Sequence, residues 1–217
     1  MLGNKHVFWE ALIIALVIFW AGILLGVYFE KTRVDKLQNF YFDSETEIFD
    51  FQLFSEIISS KDLNCNKVSE KSILFADKIY SQALKLEKYD TSNKITEDLF
   101  SLHRRYDLLR VMLWKELIEN KKRCKTNVNT VVYLYDYADT PVNEKAIQGA
   151  MSNFLIDLKG EYKDTIILIP IAVDTEVNSL DFLREIYGLE KIPMIFVNEK
   201  AKIDNLESLK DVKKYLS

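Results

Sequence analysis

From Ala11 to Phe29 the chain runs for 19 residues without a charged side chain, ALIIALVIFWAGILLGVYF. As a helix this stretch spans about 28 Å, close to the roughly 30 Å hydrocarbon layer of a bilayer. Trp9 and Tyr28 sit near its two ends, where amphipathic rings favour the membrane–water boundary, and Glu10 and Glu30 bracket it. A cleaved signal peptide has a shorter apolar core followed by a small-residue cleavage site. Here the run leads into Tyr-Phe-Glu-Lys-Thr-Arg, so residues 1–30 read as an uncleaved signal anchor that meets lipid through residues 11–29. Gly22 and Gly26 form a G-x-x-x-G that would let two such helices pack closely as a dimer, although small residues reach that spacing by chance in many membrane helices.

Orientation has two opposed signals. Lys31, Arg33 and Lys36 follow the span and only Lys5 and the terminal amine precede it, which leans toward a cytoplasmic C-terminal side. The cysteines point the other way, as argued below.

Between Thr32 and Lys125 there is no proline and no glycine, and three apolar-periodic stretches can be separated. The first, from about Val34 to Ser59, offers Leu37, Phe40, Tyr41, Ile48, Phe49, Leu53, Phe54, Ile57 and Ile58 as its apolar positions. The second spans about Lys67–Tyr89 and the third about Lys94–Arg123, each with apolar residues three and four apart. Breaks rich in Ser, Asn and Asp separate them. Residues 31–125 therefore read as a helical hairpin or three-helix region, unless the first helix simply continues the anchor. His103, beside Arg104 and Arg105, reads as a solvated or packed histidine on a polar face, with no second ligand one turn away. Lys121, Lys122, Arg123 and Lys125 close the third helix, where cations suit the negative end of the dipole. With a net charge of -4, nothing marks a nucleic-acid binder.

Cys65 precedes the second helix and Cys124 ends the third, and they are the chain's two cysteines. In an antiparallel hairpin those two points are neighbours, so a disulfide is expected there, with the soluble part in an oxidising, extracytoplasmic space. The alternative is two free thiols in a reducing cytosol. Two cysteines without a companion histidine are too few for a structural zinc site, and no metal or cofactor is expected.

In residues 126–217 the periodicity changes. Thr130–Tyr137 reads as a strand, Thr140-Pro141 as a helix start, Ile166–Val173 as a strand covered on both faces, and Ser179–Tyr187 as a short helix before Gly188. Ile192–Val197 and Ala201–Ile203 follow as strands, with a closing helix from Leu206 to Leu216, giving β-α-β-α-β-β-α. Gly160 is expected to end or follow the first of these helices.

That order, with Val173-Asp174 at a strand end and Tyr187-Gly188-Leu leading into Ile192-Pro193-Met-Ile-Phe-Val, resembles the thioredoxin family. The resemblance covers about 90 residues, from Val128 onward. It implies an α/β thioredoxin-like domain in which Pro193 is the cis-proline. The family's redox motif, W-C-x-x-C, falls where this chain has Tyr137-Ala-Asp-Thr-Pro-Val142, and residues 126–217 contain no cysteine. Thiol–disulfide exchange needs a thiolate, so no catalytic residue carries over. By resemblance, Tyr137, Asp139, Thr140, Pro141, Val142, Ile192 and Pro193 would line a groove that binds a protein or peptide segment. The expected function is a membrane-tethered, redox-inactive binding, chaperone or adaptor module. Two alternatives stay open: a diverged component of a membrane disulfide-exchange system whose reactive cysteines are lost or supplied by a partner, and a structural subunit binding through its helical region.

Overall fold

The computed structural model describes residues 4–60, 64–90, 97–124, 128–138 and 140–216. They form two compact units, Met1–Asp43 and Ser44–Ser217. Helix α1 (Asn4–Ser60) is one continuous element that begins in the first unit and ends in the second. Its His6–Thr32 portion is long and apolar enough to cross a membrane, and none of it is buried against protein.

The second unit joins the last turns of α1 to α2 (Cys65–Asp90), α3 (Glu97–Cys124) and everything that follows. Helices α2 and α3 and the strands after them thus fall in one compact unit. The physical reason is that α3 packs directly on the sheet and on α2. At the start of α2, Asn64 works as a cap: its Oδ1 accepts the Asn66 N–H at 2.9 Å, and its carbonyl accepts Val68 N–H at 3.1 Å.

Four strands make a mixed sheet in the order β2-β1-β3-β4. Central β1 (Asn129–Tyr135) runs parallel to β2 (Ile166–Ala172) and antiparallel to β3 (Met194–Val197), which pairs antiparallel with β4 (Ala201–Ile203). Helix α4 (Val142–Tyr162) makes the crossover between the parallel strands, and α5 (Asn178–Tyr187) leads from β2 toward β3. Alternate side chains of a strand point to opposite faces. On one face Val131, Tyr133, Ile195, Val197 and Ile203 pack with Met151, Leu155 and Leu158 of α4 and with Val212. On the other, the Trp114 ring of α3 meets Phe196 edge-on at 6.1 Å and stacks on Tyr187 of α5 at 5.8 Å. Val132 and Leu134 are fully buried as well, so β1 is covered on both sides.

Several local expectations change. Helix α4 starts at Val142, with Pro141 as its N-cap (φ -56°, ψ 149°) and no side-chain cap. The Thr140 hydroxyl instead donates to the Asp136 carbonyl at 2.9 Å, closing the preceding loop. Gly160 lies inside α4, which runs on to Tyr162. The closing helix is a 3-10 segment, Leu209–Tyr215. In a 3-10 turn residues three apart eclipse, which stacks Leu209 over Val212 against the core. Helix α5 ends as its sequence suggests: Gly188 adopts φ 60°, Gly188 N–H bonds to the Glu185 carbonyl, and Leu189 N–H to that of Arg184.

The β3–β4 hairpin turns on Asn198 and Glu199, both at positive φ (52° and 55°), with Lys200 N–H bonded to the Val197 carbonyl at 3.0 Å. Three residues, Asn198 to Lys200, separate the paired Val197 and Ala201, and the two left-handed ones let the chain reverse this tightly. Asn198 is also a junction. Its Oδ1 accepts from Lys121 Nζ at 2.7 Å and Thr130 N–H at 3.0 Å, and its Nδ2 donates to Asn129 Oδ1 at 2.8 Å and the Tyr215 carbonyl at 2.7 Å. Two of the cations at the end of α3 are thus used in packing. Lys121 holds this turn, and Arg123 donates to the Ile58 carbonyl of α1 and to Asn120 Oδ1.

Cys65 and Cys124 are bonded, with Cα atoms 5.4 Å apart, as expected from their positions at adjoining ends of α2 and α3.

Candidate functional site

The strand register brings three separate segments to one end of the sheet. Tyr135 is level with Ala172, and Leu134 with Met194, so residues 136–138 and 140–141, the turn after Ala172 and Ile192-Pro193 all lie beyond that end. Val173 N–H bonds to the Tyr135 carbonyl at 2.9 Å. The Asp174 carboxylate then accepts the backbone N–H of Tyr137 at 2.9 Å and of Ala138 at 2.7 Å. One side chain therefore fixes the first half of the loop against the neighbouring turn.

Of the groove residues expected from the sequence, the register places Tyr137, Thr140, Pro141, Ile192 and Pro193 at this end, with Val142 opening α4 beside them. Asp139 lies outside the described residues. Val142 is 87% exposed, whereas Pro193 is buried and its bond to Ile192 is cis.

Helix α3 supplies a second set of residues that the sequence pattern did not reveal. Asp107 is completely buried; its Oδ1 accepts from Arg110 Nη1 at 2.8 Å and from Ala172 N–H at 3.2 Å, and its Oδ2 from the Thr175 hydroxyl at 2.9 Å. Arg110 in turn bonds to Tyr135. This network clamps α3 to the ends of β1 and β2. Burial pushes the Asp107 carboxyl above the usual aspartate range, against the opposing pull of the Arg110 guanidinium and the three donors. Burial likewise raises Tyr135 to about 12, keeping its hydroxyl protonated. At the loop itself, burial, then the Asp174 and Glu144 carboxylates, lift Asp136.

His103 stacks on the Tyr137 ring with centroids 3.8 Å apart. Its side chain is buried, not on a polar face, because α3 is flanked by other elements on nearly every side. Burial, and then the charge of Arg110, push His103 down to about 3, so it is neutral at pH 7. The available signal was indirect: apolar residues around most of α3 force the polar residues among them inward.

Chemically this end offers exposed apolar surface at Pro141 and Val142, while the Tyr137 and Ala138 N–H groups are taken by Asp174. Among the described residues no three His, Cys, Asp or Glu side chains converge as a metal centre requires.

No protein-family model, curated protein or solved structure matches the chain.

Proposed function

We propose that this chain is a membrane-tethered, redox-inactive module of thioredoxin-like type that binds an extended protein segment in an extracytoplasmic space. The observation that carries this reading is the convergence of the Tyr137–Val142 loop, the Asp174 turn and Ile192-Pro193 at one sheet end, within a region that has no cysteine. The strand order β2-β1-β3-β4, with one parallel and two antiparallel pairs, supports the family resemblance. The apolar His6–Thr32 helix supports tethering, and the Cys65–Cys124 bridge supports an oxidising compartment.

A sheet end with exposed apolar positions suits an extended peptide, whose apolar side chains would meet Pro141 and Val142. The direct test places a photo-reactive residue at Val142 in the full chain, in phosphatidylcholine nanodiscs, with an unfolded, cysteine-blocked polypeptide as probe. Cross-linking at 142 well above that at Ile156, an exposed position farther along α4, is expected. Equal yields at both positions would contradict the groove. Turnover in an insulin-reduction assay would contradict the redox-inactive assignment.

A further inference from the structure

Helix α1 carries two different faces in the second unit, one packed and one largely exposed. Phe51 and Ile58 are buried, Phe51 packs on the Phe75 ring at 4.5 Å, and the Ser55 hydroxyl donates to the Glu116 carboxylate. On the opposite side Phe49, Leu53 and Ile57 are 62%, 56% and 47% exposed. Their spacing of four places them in one stripe along the helix.

Charge frames this stripe. Between Lys36 and Lys61 the sequence has five carboxylates, Asp43, Glu45, Glu47, Asp50 and Glu56, and no basic residue. At about 100° of turn per residue, Asp50 lies about 60° to one side of Leu53, while Glu56 and Glu45 lie about 60–80° to the other. Asp50 and Glu56 are exposed; Glu47, on the packed side, is paired with Lys78.

We propose that this face docks a cationic amphipathic helix of a partner protein, apolar side chains on Phe49, Leu53 and Ile57 and basic ones on the flanking carboxylates. Charge complementarity selects the occupant. A second copy of the same face would set carboxylate against carboxylate, which disfavours self-association, and an anionic lipid surface would be repelled. This surface lies on α1 and does not depend on the groove at the strand ends.

The test uses the full chain in phosphatidylcholine nanodiscs and two labelled helical peptides of about 18 residues, five turns. Both carry leucine on one face; the other face is lysine in one and glutamate in the other. Fluorescence anisotropy should show the lysine peptide binding these discs above empty ones, the glutamate peptide not, and added salt weakening the complex. Phe49→Ser with Leu53→Asn should weaken binding at least about tenfold. Asp50→Asn with Glu56→Gln should weaken it roughly five- to tenfold. All four positions are exposed, and circular dichroism checks that the variants stay folded. Equal binding of both peptides, or variants that bind like the parent, would overturn the proposal. So would self-association relieved by Phe49→Ser with Leu53→Asn, which would assign the stripe to a second copy.

Discussion

Two residues hold more of this fold together than their types advertise. Asn198 combines a left-handed turn conformation with four side-chain hydrogen bonds, to α3, β1 and the C-terminal segment. Asn198→Ala should destabilise the protein by about 2–4 kcal/mol, because it strands the Thr130 N–H and the Tyr215 carbonyl and strains the turn. Asn198→Gly keeps the turn and should recover about 0.5–1 kcal/mol of that loss. Urea unfolding of the three proteins measures both; an alanine variant as stable as the parent would contradict the junction. His103 gives a pH signature. Below about pH 6.5 the unfolded chain protonates this histidine, while the folded protein resists until about pH 3. Its contribution is therefore complete above 6.5 and is lost as pH falls through that window, by at most about 1.4 kcal/mol per unit. Stability should decline from pH 7 to pH 5, and His103→Gln should flatten the decline. An unchanged slope in the variant would remove His103 as its cause.

At the scale of elements, β1, β2 and β3 were legible because short β-rich runs bounded by turn residues have few alternatives. The disulfide was legible from helix ends alone. Less visible was which apolar residues α1 would bury: the sequence offers Phe49, Leu53 and Ile57 as readily as Ile58, and only packing against α2 and α3 chooses between them. Nor could periodicity place Asp107, Arg110 or Glu116 inside, since charged residues usually mark the solvent side of a helix. Opposite charges three apart within an apolar helix, as in Asp107 and Arg110, are the trace such a buried pair leaves. The bridge between α2 and α3 closes a loop with a sequence separation of 59. Chain-entropy arguments give it about 4 kcal/mol, so Cys65→Ser with Cys124→Ser should lower the urea midpoint by a corresponding amount. An unchanged midpoint would mean that the bridge adds no constraint to the unfolded chain.

For the whole molecule, the composition of one apolar helix and the positions of two cysteines led to a reading of location, while the site led to a reading of action. The groove residues were named through a family resemblance, and strand register then set most of them at one sheet end. The α3 clamp beneath that end was not legible, because it is made by contacts between residues 65 and 68 positions apart in the chain. As proposed, the molecule is a tethered binding domain that faces an oxidising space and is stapled by its own disulfide. The most direct measurement is labelling of intact cells with a membrane-impermeant thiol reagent, before and after reduction. No labelling is expected before reduction, and labelling of Cys65 and Cys124 is expected after it, without permeabilisation. Labelling that needs permeabilised cells but no reductant would place free thiols in the cytosol and contradict this proposal.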